Sequence, residues 1–303
     1  MVCRKVPFLA LYFSYINDFP NASEKIELLL FADDTSIFYS HSNPNTLESV
    51  LNNELKNIEV GLRCNKLSVN VKKTTYLIFK PWQKKCNHNF SISLGGQPLT
   101  QSNVTKFLGV YIDEHLTWKD HISYLCKQIS KSIGMLFRSR FYLSSKTKLT
   151  LYYSLIYPYI TYCNSTWSST YVTNLNRIYC LQKRVVRAIT NSDYRTHSAP
   201  LFSRLGILDI FQINTFQIAK FMYCYHYSLL PPLFFNLFRT NSQIHSYSTR
   251  TANNYHVHQC RTNLKKFTIL YQGPKIWNSL PTTITTLSSF PNFKKKLLEF
   301  LEK

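Results

Sequence analysis

Two adjacent carboxylates, Asp33 and Asp34, stand between the apolar runs Glu27-Leu-Leu-Leu-Phe31 and Thr35-Ser-Ile-Phe-Tyr39. The pattern predicts a strand, a tight turn carrying the acids, and a return strand. Alternation along a strand pushes neighbouring acids to opposite faces, whereas a hairpin tip can aim one of them into a cleft. Paired carboxylates held there suit hard divalent cations, which take oxygen ligands and favour sites shared with substrate phosphates. The same residues also read as an ordinary polar β-turn, because Asp is among the commonest turn residues.

The elements around the turn follow from periodicity. Phe8 to Ile16 reads as a short buried helix leading into the hairpin. Asn45-Thr46-Leu47-Glu48 has the form of a capping box, and Leu47, Val50, Leu51, Leu55, Ile58 and Leu62 follow at helical spacing. Leu67, Val69 and Val71 alternate as a strand, and residues 75–79 make another. Ser91–Leu94 meets a Gly95-Gly96 turn, and residues 104–112 predict a strand with Gly109 inside it. Thr117–Asp120 reads as the cap of a helix whose stripe is Ile122, Leu125, Ile129, Ile133 and Leu136. A second helix is expected from Ser145 to about Tyr157, stopped by Pro158. A third carries Ile178, Leu181, Val185 and Ile189. Residues 240–303 are less regular and end in an amphipathic helix from Asn292.

Charge separates the two parts of the chain. Residues 1–120 hold 13 Lys/Arg against 11 Asp/Glu, while residues 121–303 hold 23 against 4. A field so one-sided implies a polyanionic partner, most plausibly nucleic acid. Lys127, Lys131, Arg138, Lys183, Arg184 and Arg187 lie off the apolar stripes of their helices, where they form either a solvated face or a surface that tracks a phosphate backbone. An anionic membrane is the weaker alternative, since the cations are dispersed and no apolar run approaches the length of a bilayer span. The eight cysteines show no CxxC spacing and read as reduced thiols of an intracellular protein. Arg4-Lys5 followed by residues 6–16 imitates a signal peptide but ends in the polar Asn17-Asp18, so secretion is not expected. His256, His258 and Cys260 could share one face of a strand, with no second cluster to complete a zinc site. The length of 303 residues predicts two or three substructures.

In order along the chain, these segments resemble the reverse transcriptases of non-LTR retrotransposons (LINE elements, the jockey-like group). Residues 7–20, ending Tyr15-Ile16-Asn17-Asp18-Phe19-Pro20, are similar to the family's helix with its "INDLP"-like run. Phe31-Ala32-Asp33-Asp34 matches the family's metal-binding motif, and Asn65–Thr74 the palm segment that follows. Lys106–Asp113, with Trp118 and His121, is similar to the primer-grip hairpin and its exit into the thumb. Tyr271–Pro281 looks like the C-terminal "WNSLP" segment. The resemblance implies an α+β fold, with a partial palm of antiparallel hairpins and helices over 1–118. A basic helical thumb over 119–200 and a helical or irregular C-terminal region over 201–303 would follow.

The resemblance also assigns roles. Asp33 would ligate Mg2+ in a two-metal site, with Asp34 supporting it. Phe107, Leu108 and Gly109 would sit on the primer grip, and the six cations named above would contact duplex phosphates. RNA template and DNA primer or target would be the partners, in nucleus and cytoplasm. The family's upstream palm strand with another metal-binding Asp has no match here. The chain is therefore expected to be catalytically incomplete alone. A non-enzymatic basic nucleic-acid-binding remnant and a relic without selected function remain the alternatives. Trp118 and Trp277 read as core aromatics.

Overall fold

Glu27–Phe31 (β1) and Asp34–Phe38 (β2) pair antiparallel, with Phe31 opposite Asp34, so only residues 32–33 make the connection. Ala32 sits at φ 52°, in the left-handed region that two-residue hairpins of this kind require. The computed structural model describes residues 22–302 other than 24, 33, 84–87, 246 and 248. Asp33 and the helix expected at Phe8–Ile16 lie outside the described residues.

The chain forms two compact units that divide between Thr105 and Lys106. In the first, helix α1 (Pro44–Cys64) buries Leu55 and Ile58 against Ile26, Ile92 and Leu94. The expected capping box does not form, and the cap lies two residues earlier. Asn43 is the cap, its side chain accepting from the Asn45 amide, and Pro44 opens the first turn. Glu48 is thereby freed for another task. Its carboxylate bonds His88 Nε2 and accepts from the Ser91 amide, while Asn52, one turn on, bonds Ser91 O at 2.8 Å and Ser93 N at 3.0 Å. One helix face thus hydrogen-bonds the backbone of Ser93–Leu94 (β4) and its approach, where a neighbouring strand would otherwise do so. β4 turns through Gly95-Gly96 into Gln97–Pro98 (β5), as expected.

The strand expected over Leu67–Val71 does not form. Lys66 takes φ 52° and residues 71–73 make a 3-10 turn, with Thr74 Oγ1 bonded to Asn70 O. Side-chain bonds of this sort offer the backbone an alternative to a ladder. The next strand shrinks to Thr75–Tyr76 (β3), which pairs with Thr100–Gln101 (β6) in parallel, so the pairings are not all antiparallel hairpins.

In the second unit Lys119–Ser139 (α2) and Val172–Thr190 (α6) pack along their length. They run parallel, because both starts meet at Thr117 O and both ends meet at Lys148. Thr117 O accepts from Thr170 Oγ1 and Asn174 Nδ2, while Lys148 Nζ donates to Arg140 O and Ala188 O. The crossover is made by Ser145–Leu155 (α3), Tyr157–Thr161 (α4) and Asn164–Trp167 (α5). Pro158 does not simply end the second predicted helix. It stands in the first turn of α4, where a missing amide costs nothing.

Ala199–Leu205 (α7), Ile210–His226 (α8), Asn263–Lys266 (α9), Ile269–Ser279 (α10), Thr282–Thr285 (α11) and Phe290–Leu301 (α12) complete the unit. The helices of 119–200 and 201–303 share one core running from Val110 to Leu297. The Gly-Pro-x-x-Trp-Asn segment serves this core. A Cβ on Gly273 would lie 2.6 Å from Met222 Sδ, so the glycine lets α10 approach α8 closely. Trp277 is buried, and Asn278 bonds both N and O of Tyr255. Trp118 is buried as well. Residues 256–260 are not a strand, and His256 bonds Asn241 instead.

Candidate nucleic-acid interface and acidic turn

Asp34 opens β2 at the hairpin tip and is exposed, as are Phe31 and Ala32 beside it. Adjacent carboxylates here offer hard oxygen donors of the type a divalent cation takes. Among the described residues no three His, Cys, Asp or Glu side chains gather into a metal-binding group. The donor chemistry of the turn fits such an ion, which binds through one or two carboxylates and fills its remaining positions with waters and substrate phosphates.

The strand predicted across residues 104–112 is broken into Val104–Phe107 (β7) and Val110–Asp113 (β8). Leu108 at φ 45° and Gly109 at φ 86° make the turn between them, with the positive φ at both positions that a type I′ hairpin needs. Tyr162, which the sequence reading did not single out, donates its hydroxyl to Leu108 O at 2.7 Å. A Cβ on Gly109 would lie 3.5 Å from the same ring. Gly109 is exposed, while Phe107 and Leu108 are half-buried.

The exit from this hairpin is set by Asp113. Its buried carboxylate accepts from the amides of Thr117 and Trp118, both at 2.9 Å, and from Thr117 Oγ1 at 3.0 Å. Thr117 is thus not the cap expected from the sequence. Trp118 holds the N-cap position in the left-handed region, with no side-chain cap of its own. Asp113→Ala removes three charge-assisted bonds at once and leaves Leu116 and Trp118 at positive φ without support. It is expected to cost about 2 kcal/mol in urea titrations, whereas a cost near zero would show that the turn holds without it.

The predicted cations divide into two sets. Lys127, Lys131 and Arg138 fall within about 40° of one another on helical spacing, on the face of α2 opposite its buried stripe. Lys127 and Lys131 edge a shallow depression closed by Ser123, Cys126 and Arg177 of α6. Arg177 donates to Ser123 Oγ at 3.0 Å, and Arg184 lies two turns further along its stripe. Arg177 escaped the sequence reading; its position beside the packing seam of two parallel helices was the missing signal. Lys183 and Arg187 turn further round α6. Lys183 Nζ stands 4.1 Å over the Tyr179 ring, and Arg187 Nε donates to Thr196 O at 2.9 Å.

Comparison with known proteins finds similar sequences. The transposon X-element protein of Drosophila melanogaster, described as a probable RNA-directed DNA polymerase, is 25% identical over 224 residues, 71% of this chain. A like-described protein of transposon BS from the same fly is 27% identical over 186 residues, 60% of the chain. The RNA-directed DNA polymerase from mobile element jockey of Drosophila funebris is 26% identical over 131 residues, 42% of the chain. The chain is similar in sequence to RNA-directed DNA polymerases of non-LTR transposons. The X-element match is longer than either unit, so the relation to the non-LTR polymerases reaches both. The matches span 24%, 20% and 14% of those polymerases' own lengths. No protein-family model and no solved structure matches the chain.

Proposed function

We propose that the chain is the C-terminal part of an RNA-directed DNA polymerase of a non-LTR retrotransposon, acting by template-directed nucleotidyl transfer in a longer polypeptide. The observation that carries this is the cationic face of the parallel pair α2 and α6 in a chain whose curated relatives are polymerases. Residues 1–118 are assigned to the palm, 119–200 to the thumb, and 201–303 to a region that buttresses it. Lys127, Lys131, Arg138 and Arg184, joined by Arg177, contact the phosphates of an RNA template paired with a DNA primer. Lys183 and Arg187 stand at the edge of that contact. Phe107, Leu108 and Gly109 bring an exposed turn against the primer strand, where the absent Cβ of Gly109 permits close approach.

Asp33 and Asp34 hold Mg2+ from one side, and the ions supply charge stabilisation at the reacting phosphates when bound. In the family that the chain resembles a further metal-binding Asp joins them, and no residue of this chain matches it, so the chain alone does not extend a primer. Action on chromosomal DNA places it in the nucleus after synthesis in the cytoplasm. No described helix is long and apolar enough to cross a membrane.

The test is a salt titration of binding to a labelled primer–template. Lys127→Ala/Lys131→Ala/Arg177→Ala is expected to lower the slope of log K against log salt by about 2 to 3. No extension with Mg2+ or Mn2+ should accompany binding. Binding that is undetectable at low salt overturns the reading. Extension lost in Asp33→Ala would instead show a complete catalytic site.

A further inference from the structure

Three large aromatic side chains stand in solvent at the end of the helical unit where α2 and α6 terminate: Phe141 at 72% exposure, Tyr142 at 89% and Tyr194 at 79%. Single exposed aromatics are ordinary. The two loops that carry these three are tied to one buried group. Lys148 Nζ donates to Arg140 O, which precedes Phe141, and to Asn191 Oδ1 at 2.8 Å, three residues before Tyr194. Both loops are therefore anchored on one ammonium, with each tyrosine no more than about 11 Å of chain from its anchor.

Each loop also pairs an aromatic ring with a guanidinium. Arg140 lies 4.4 Å from the Phe141 ring, and Arg187 5.9 Å from that of Tyr194. The bond from Arg187 to Thr196 O closes the second loop back on its helix. Asp193 is the acid of these loops, and its carboxylate is turned to the Tyr194 amide at 2.6 Å.

Exposed rings beside cations that have no acidic partner among the described residues match one ligand chemistry. Nucleobases present π-faces and their linkers carry negative charge, and stacking accepts any base. A duplex hides its base faces, so only an unpaired strand can use the rings. We propose that this end of the helical unit is a stacking platform for unpaired nucleic acid, with bases on Tyr142 and Tyr194 and phosphates near Arg140 and Arg187. This rests on the nucleic-acid function proposed above and adds a strand preference to it. A strand leaving the duplex held on α2 would find the platform at the C-terminal end of the same helix.

The experiment compares fluorescein-labelled oligothymidylate with a blunt duplex, using the full chain. Tyr142→Ala/Tyr194→Ala is expected to weaken single-strand binding about a hundredfold, roughly tenfold per ring, with duplex affinity and salt slope unchanged. Tyr142→Phe/Tyr194→Phe should bind like the parent, since a ring without its hydroxyl still stacks. Both tyrosines are exposed, so far-ultraviolet circular dichroism should match the parent for each variant. Equal losses for duplex and single strand, or no loss for the single strand, would overturn the platform. So would an effect of the alanine pair seen only on vesicles containing phosphatidylserine. A parent that binds duplex but not oligothymidylate overturns the platform alone, whereas one that binds neither overturns the polymerase-fragment reading too.

Discussion

Lys148→Ala is expected to destabilise the helical unit by about 4 kcal/mol, the largest effect of any single substitution considered for this chain. The side chain is fully buried, with no carboxylate bonded to it among the described residues. Its ammonium is met instead by Arg140 O just past the end of α2, Ala188 O in the last turn of α6, and Asn191 Oδ1 at the cap of α6. Parallel helices place the negative ends of both dipoles at one point, and a cation there is favoured over any neutral side chain. Burial and the nearby Arg140 charge act against it and hold the Lys148 pKa below the usual lysine value. Truncation removes the buried stem and leaves two carbonyls and an amide oxygen without their donor.

Lys148→Met retains most of the stem and isolates the ammonium, so it should recover roughly half of the loss. Equilibrium urea unfolding followed by circular dichroism measures both. A cost below about 1 kcal/mol for the alanine variant would mean that water replaces the ammonium without loss.

Local periodicity made the long helices legible. The stripe from Ile122 to Leu136 and that from Ile178 to Ile189 are buried as the spacing required. The acidic hairpin was equally clear, because two apolar runs around two acids leave few alternatives. What failed was decided by side-chain partners that periodicity does not reveal, some a few residues away and some distant in sequence. The cap at Thr117 yielded to the Asp113 carboxylate, and the Glu48 of the supposed capping box went to His88, 40 residues away. Leu67–Val71 has the alternation of a strand, but Val69 is exposed and no strand among the described residues pairs with it. Of the interface, the cations of α2 could be read as one face from spacing alone. Arg177 and Tyr162 could not, since each acquires its place only when the crossover brings α4–α6 back to α2 and the β7–β8 turn.

His121 shows how such long-range packing makes stability depend on pH. Its ring is 1% exposed, packed edge-on against Trp167 at 5.3 Å and near Tyr124, with Nδ1 accepting from the Tyr111 amide. Nε2 therefore carries the proton of the neutral ring, and it has no hydrogen-bond partner among the described residues. Burial alone pushes the pKa from 6.5 down to about 4. A second proton would have to enter Nδ1, breaking the bond to Tyr111 and placing charge in the core.

The folded state thus binds this proton later than the unfolded state does. Stability from His121 is complete above pH 6.5 and falls as pH drops towards 4, by about 3 kcal/mol in all. His226 shifts in the same direction through burial, and Glu48 and Glu54, with lowered pKa values from their His88 and Ser23 bonds, also favour the folded state less in acid. The contribution of His121 is therefore the difference between parent and His121→Phe. That ring keeps the contact with Trp167 but cannot titrate. Its unfolding free energy is expected to be lower near pH 7, where the Tyr111 amide loses its acceptor, and to decline less steeply between pH 6.5 and 4.5. Parallel curves for parent and variant across that window would show that His121 admits its proton in the folded state, and the burial argument would fail with it.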